Sequence, residues 1–125
     1  MLTNRDYTNF QLALKVAELS QCNYKHGSII ASGKRVFSVA CNCYRTHPVQ
    51  QRYRSSVCTI HAEARAIIRA RADITNTICY SARIDKNNKP TISKPCQSCY
   101  DLIYEAGIAY VVYHNGTELV KMKVC

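Results

Sequence analysis

Apolar positions first recur at helical spacing over residues 7 to about 22, where Phe10, Ala13, Leu14 and Ala17, with Leu12, Val16 and Leu19 beside them, form a broad face. This pattern predicts an amphipathic helix. Residues 28–31 and 35–41 are short and rich in β-branched side chains, and Ser32-Gly33-Lys34 turns the chain between them, so the pair reads as a hairpin. Residues 42–57 are polar, arginine-rich and broken by Pro48, which predicts a loop. A second helix is expected from residue 61 to about 71, with Thr59 as its N-cap. Residues 75–82 predict a third strand, and 85–90 a turn-rich loop. Pro95 opens a third helix that runs to about residue 106 and stops at Gly107. Residues 108–113 predict a fourth strand. Asn115-Gly116 signals a two-residue type I′ turn into a fifth strand over 117–124, antiparallel to the fourth because too few residues remain for a helical crossover. The order α-β-β-α-β-α-β-β predicts a mixed five-stranded sheet covered by helices.

Composition narrows the class. With 125 residues the chain forms one domain, residues 1–125, around one core, which excludes a two-domain enzyme. A content of 47% hydrophobic and 20% charged residues, with 4 Gly and 3 Pro, excludes disordered and collagen-like chains. The longest apolar run, residues 106–113, is far short of the roughly 20 residues that a membrane span needs. The first residues lack the basic-then-apolar pattern of a signal peptide, so a cytoplasmic protein without membrane contact is expected. In that compartment the eight cysteines point to thiols or metal ligands rather than to a disulfide framework.

The formal charge is +9, and residues 44–71 carry much of it, with six arginines and no lysine against Glu63. Arginine suits phosphate contact because its planar fork binds oxygens bidentately. For Arg65, Arg69 and Arg71 a solvated helix face explains the spacing equally well.

Two motifs carry chemistry. His61-Ala62-Glu63 and Pro95-Cys96-Gln97-Ser98-Cys99 each open an expected helix and together offer one imidazole, two thiols and one carboxylate. This is the donor set of an open zinc site, in which three protein ligands leave a fourth position for chemistry. Cys96 and Cys99 are three apart in a first turn, so both sulfurs fall on one side, and the unpaired N–H groups there favour thiolate. His61 and Glu63 are two apart and would diverge inside a helix, so they serve one site only if it lies off the helix's N-terminal end.

H-x-E followed by P-C-x-x-C is the signature of zinc nucleobase deaminases, and the chain resembles the cytidine and deoxycytidylate deaminase superfamily. The resemblance runs over Ser28-Ile29-Ile30, residues 35–42, His61-Ala62-Glu63-Ala64-Arg65-Ala66-Ile67, Lys94-Pro95-Cys96-Gln97-Ser98-Cys99, Ala106-Gly107-Ile108 and Val111-Val112-Tyr113. It implies a three-layer α/β/α cytidine-deaminase-like fold whose mixed five-stranded sheet ends in an antiparallel hairpin. It further implies that His61, Cys96 and Cys99 bind Zn²⁺, that Glu63 shuttles protons without binding the metal, and that Asn42 binds a sugar hydroxyl. Ala62, Tyr44 and Arg45 are the other expected substrate contacts, and a homo-oligomer is expected.

Other readings of the same residues stand beside these. Cys96-x-x-Cys99 is also a redox spacing, although that leaves His61-x-Glu63 without a purpose. A structural zinc would take a fourth ligand from His26, His47, His114 or another cysteine. Cys22, Cys41, Cys43 and Cys58 are either buried thiols or a second metal site, Cys79 reads as core, and Cys125 as a terminal thiol. Tyr44 and Tyr53 either stack on a base or pack in their loop, and Asn42 either meets a sugar or holds a turn.

Residues 84–93 lengthen the link to the Pro-Cys motif beyond what is usual in the superfamily, and Lys86, Lys89 and Lys94 there could cover the site as a flap. The hairpin ending resembles that of free nucleoside deaminases, which usually carry Cys where His61 stands. The chain thus mixes features of two subgroups, and the expected reaction is hydrolytic deamination of cytosine in a free nucleotide or nucleoside such as dCMP. The alternative substrate is cytosine or adenine in single-stranded DNA or RNA. A fold that binds nucleic acid without catalysis is disfavoured by the intact Glu63.

Overall fold

The computed structural model describes residues 1–43 and 61–124. In chain order the elements are α1 (Asn4–Ala17), β1 (Lys25–Ser32), β2 (Arg35–Cys41), α2 (Ala62–Arg69), β3 (Ile78–Ile84), α3 (Gln97–Glu105), β4 (Tyr110–His114) and β5 (Leu119–Lys123). The strands form one sheet in the order β2-β1-β3-β4-β5. β1 pairs antiparallel with β2 and β3, β3 runs parallel to β4, and β4 pairs antiparallel with β5. The mixed sheet and its antiparallel terminal hairpin agree with the sequence pattern.

Both faces of the sheet are covered, and the period-two alternation of the strands assigns residues to each. Ile29, Ala31, Tyr80, Ala82 and Val112 pack against Phe10 and Ala13 of α1. Ile30, Ala40, Cys79 and Val111 face the other way and pack against Ala66 of α2 and Ile103 of α3. This double burial makes the centre of β1 continuously apolar rather than alternating. Helix α1 lies directly on β1, since a Cβ at Gly27 would run into the Ala13 carbonyl and the Ala17 nitrogen.

Several boundaries differ from expectation. Helix α1 starts at Asn4 because Thr3 and Asp6 form a reciprocal capping box, with N···O distances of 3.0 and 3.1 Å. His61, rather than Thr59, is the N-cap of α2, and Thr59 lies outside the described residues. The β4–β5 connection is not a two-residue type I′ turn. His114 pairs with Leu119, and of Asn115 and Gly116 only Gly116 has positive φ, at 101°. The Asn115 side-chain oxygen instead accepts from the N–H groups of Thr117 and Glu118, both at 2.9 Å, which stabilises a longer loop.

Asp6 ties three elements together. Its buried carboxylate accepts a 2.6 Å bond from the Tyr80 hydroxyl on β3 and a 3.0 Å bond from the Lys121 ammonium on β5.

Candidate metal centre and its pocket

One end of the strands collects the chemistry. Antiparallel β1 starts where β2 and β3 end, and parallel β4 ends there too. The β3–β4 ladder runs through Ile78–Tyr110, Cys79–Val111 and Tyr80–Val112, and beyond it the strands admit Ser93. Ser93 exchanges hydroxyl-to-carbonyl bonds with Ser81 at 2.7 and 2.8 Å, and bonds the backbone N–H and carbonyl of His114 at 2.9 Å each. Ser93 thereby anchors the chain leading to Pro95 and Cys96 at the crevice outside the carboxyl ends of two parallel strands.

Residues 84–93 fold back on β3 as a tight return, with Ile84 bridging Pro90 and the Asp85 carboxylate accepting from Asn87 and Lys89 N–H groups. Lys86, Lys89 and Lys94 are exposed and, among the described residues, do not line the pocket described below.

Helices α2 and α3 bring their first residues to this end of the sheet. His61 and Cys96 are both N-caps with extended backbone, at φ −73°, ψ 154° and φ −70°, ψ 167°. Because His61 stands outside the helix, its direction is not bound to that of Glu63, and both side chains reach one site. The ligand atoms of His61, Cys96 and Cys99 all lie within 4.8 Å of one another. The His61 Nδ1 is 3.5 Å from the Cys96 sulfur and 3.4 Å from the Cys99 sulfur. Cys96 is open to solvent and Cys99 is buried.

The two thiols hold their protons unequally. Hydrogen bonding from Cys99 above all, together with His61 and Ser98, draws the Cys96 thiol down to about 2, while burial opposes this. Sharing its proton with Cys96, with burial acting in the same direction, pushes Cys99 up. A metal cation at this point displaces that proton and leaves two thiolates and an imidazole, which is a donor set that zinc accepts. The residues present therefore fit a zinc ion with an open fourth position.

Glu63, the second residue of α2, is 4% exposed. Burial raises its carboxyl pKa, opposed by its own backbone N–H, His61 and Ser81. Its charge in turn helps to raise Cys99 and Cys79, and Cys79 is pushed up to about 12 chiefly by burial. A buried carboxyl group beside the three ligand atoms suits proton transfer there. Ala62 is fully buried at the first position of α2.

A cavity of about 440 Å³ adjoins the centre through His61 and is lined also by Cys22, Asn23, Tyr24, His26, Asn42 and Arg83. Asn42 shapes its wall. Its side-chain oxygen accepts from the Ser20 hydroxyl at 2.6 Å and the His26 N–H at 3.0 Å, and its amide donates to the Tyr24 carbonyl at 2.7 Å. Asn42 thus holds the segment before β1, and among the described residues its amide makes one of the two donor bonds open to it. Burial first, then the charges of Arg83 and His61, lower His26 to about 4, so it is neutral at pH 7.

Tyr44, Arg45, Tyr53 and Cys58 fall outside the described residues. Among the described residues, His61, Cys96 and Cys99 are the one cluster able to hold a metal; Cys22, Cys41 and Cys43 do not gather into another. Arg65 donates to the Cys41 carbonyl at 3.0 Å and joins α2 to β2, whereas Arg69 and Arg71 are exposed. Tyr24 and Arg83 bear no motif that marks them in the sequence, and His26, expected only as one possible fourth ligand of a structural zinc, lines the cavity and is not among the clustered ligands. The strand register alone brings His26 opposite Arg83.

An α/β/α sandwich with an imidazole and two thiols at helix N-termini, and a buried carboxylate beside them, defines the class of zinc hydrolases that act on nucleobases. Residues 3–115 match the family model described as the cytidine and deoxycytidylate deaminase zinc-binding region, and the chain belongs to that family of zinc-dependent deaminases. No curated protein matches it by sequence. Among solved structures, it is similar to the apo dCMP deaminase of cyanophage S-TIM5, with TM-score 0.67 and 18% identity over 94% of this chain and 88% of that one. The same phage enzyme in complex with dCMP and dUMP gives TM-score 0.64 and 18% identity over 89% and 81%. Cytidine deaminase from Burkholderia pseudomallei gives TM-score 0.67 and 18% identity over 98% and 94%. At these identities the likeness shows the fold. No helix among the described residues is long and apolar enough to cross a membrane.

Proposed function

We propose that this protein hydrolyses the amino group from the cytosine ring of a free nucleotide or nucleoside, with dCMP as the leading substrate, giving uracil and ammonia. His61, Cys96 and Cys99 hold Zn²⁺, and Glu63 carries the proton. The observation that carries this reading is the convergence of three ligand atoms within 4.8 Å, with Glu63 buried beside them.

Zinc in such a site supplies Lewis acidity, which makes hydroxide available at neutral pH. Glu63 accepts the proton of the attacking water and delivers it to the ring nitrogen next to C4. Oxygen is now bonded to C4. Glu63 then takes the proton of the new C4 hydroxyl and passes it to the amino group, the C4–N bond breaks, ammonia leaves and a carbonyl remains. Burial serves each transfer by keeping bulk water from the carboxyl group. Asn42, held by Ser20, His26 and Tyr24, offers its remaining N–H to the sugar.

The charge of +9 favours a second reading, deamination of cytosine or adenine in single-stranded DNA or RNA. Ammonia release measured against cytosine and adenine nucleosides, nucleotides and oligonucleotides separates the two. Turnover of dCMP or deoxycytidine supports the first reading, and turnover of oligonucleotides alone overturns it.

A further inference from the structure

Residues 84–93, the lengthened link to the Pro-Cys motif, run back antiparallel along the end of β3. The Asp85 N–H donates to the Lys89 carbonyl at 2.9 Å, Ile84 bridges Pro90, and the Thr91 N–H donates to the Arg83 carbonyl at 3.0 Å. One pair further on, Ser93 meets Ser81. There the return leaves β3 and enters the gap beside β4. The last register pair between these two parallel strands is Tyr80 with Val112, one residue short of Ser81 and two short of His114. Beyond it the Ser93 hydroxyl donates to the Ser81 carbonyl at 2.7 Å and accepts from the His114 N–H at 2.9 Å, so a single hydroxyl spans the gap. The Ser93 backbone is engaged on both sides as well. Its N–H donates to the His114 carbonyl at 2.9 Å, and its carbonyl accepts from the Ser81 hydroxyl at 2.8 Å. Ser93 and Ser81 are 3% and 1% exposed, so water cannot replace these four bonds.

The clasp lies three residues from a metal ligand. Pro95 has a fixed φ and restricts Lys94 before it, and Cys96 is itself extended, at φ −70° and ψ 167°. A shift at Ser93 is therefore carried to the Cys96 sulfur rather than absorbed on the way. Cys99 is held by packing against Ala64 and Leu102, whereas Cys96 is open to solvent and depends on its backbone for its place. The Ser81 side chain also lies against the Glu63 carboxyl, so the clasp borders both motifs.

We propose that Ser93 is a positioning residue for the ligand Cys96: by locking residues 84–93 between β3 and β4 it sets the affinity of His61, Cys96 and Cys99 for zinc. The proposal rests on the reading of these three residues as zinc ligands and is independent of the substrate. Partners that orient metal ligands are typically worth about 10–100-fold in metal affinity, and Ser93 acts through the chain rather than on a ligand atom, so about 10-fold is expected.

Zinc affinity measured by equilibrium competition with a chromogenic chelator, at a temperature where circular dichroism shows each protein folded, tests this without turnover. Ser93→Ala should weaken zinc about 10-fold, and Ser93→Thr, which keeps the hydroxyl, should recover most of the loss. Lys121→Met, which destabilises the fold away from the site, should leave zinc affinity unchanged. An affinity of Ser93→Ala within about twofold of the unaltered protein, or an equal loss in Lys121→Met, would overturn the proposal, since either makes Ser93 a residue of the fold alone. If Ser93→Ala does not fold, hydrogen exchange of the unaltered protein carries the test. Linkage requires that zinc tighten the clasp by the factor with which the clasp tightens zinc, so the Ser93 and His114 amides should exchange about 10-fold more slowly once zinc is bound, and unchanged exchange would overturn the proposal. Failure of the unaltered protein to bind zinc would remove the metal reading and this proposal with it. Weakened zinc in Ser93→Ala, without ammonia release from any cytosine compound by the unaltered protein, would support the role of Ser93 and remove the deaminase reading.

Discussion

Replacing Lys121 by Met removes the cation facing Asp6 while keeping most of the apolar stem. The Asp6 side chain is 3% exposed and that of Lys121 14%. Removing one member of a fully buried pair costs about 3–5 kcal/mol, because the other charge is stranded. Here the carboxylate keeps its bonds from the Tyr80 hydroxyl and the Thr3 N–H, and Lys121 reaches some water, so about 2–3 kcal/mol is expected. For a chain of this size that lowers the melting temperature by about 6–15 °C.

The pH dependence has a definite sign. Burial alone would raise the Asp6 pKa, but bonds from Tyr80, Thr3 and Lys121 outweigh it and leave the folded value below the ordinary 3.8. Stability from this group is therefore fully present above about pH 4 and lost as pH falls through the folded value. Thermal unfolding followed by circular dichroism at pH 7 and pH 3 should show Lys121→Met less stable than wild type at pH 7, with a smaller gap at pH 3. A shift below about 2 °C at pH 7, or a gap that widens in acid, would refute the reasoning.

Cys99→Ala removes one of three ligands and should reduce zinc, measured by elemental analysis, from one ion per chain to a small fraction; full occupancy would remove Cys99 from the ligand set. Asn42→Ala strands the groups that the side chain pairs, at about 1–3 kcal/mol each, so a lower melting temperature together with a raised KM is expected. A raised KM without a change in melting would make Asn42 a substrate contact without a structural part.

The legible part of this molecule was local. Alternation and helical spacing predicted every described helix and strand in order, and the H-x-E and P-C-x-x-C motifs carried the metal cluster. The two-residue separation of His61 and Glu63 conflicts with one site only inside a helix, and the structure removes the conflict by making His61 an N-cap. The Asn115-Gly116 pair does not form the expected turn, because the asparagine side chain can either permit positive φ or cap the following N–H groups, and here it does the latter. The Tyr80–Asp6 and Lys121–Asp6 contacts span 74 and 115 residues, so no local pattern signals them. Arg83 and His26 meet through strand register alone, and a lone arginine or histidine in a strand carries no spacing that marks it.

The most direct test of the account is ammonia release from dCMP by Glu63→Gln at zinc content matched to wild type. Gln keeps the shape of the side chain and removes the proton carrier, so the rate should fall by at least about 10²–10⁴-fold with zinc and melting temperature preserved. Turnover within a few-fold of wild type would contradict the assignment of Glu63 and, with it, the proposed mechanism.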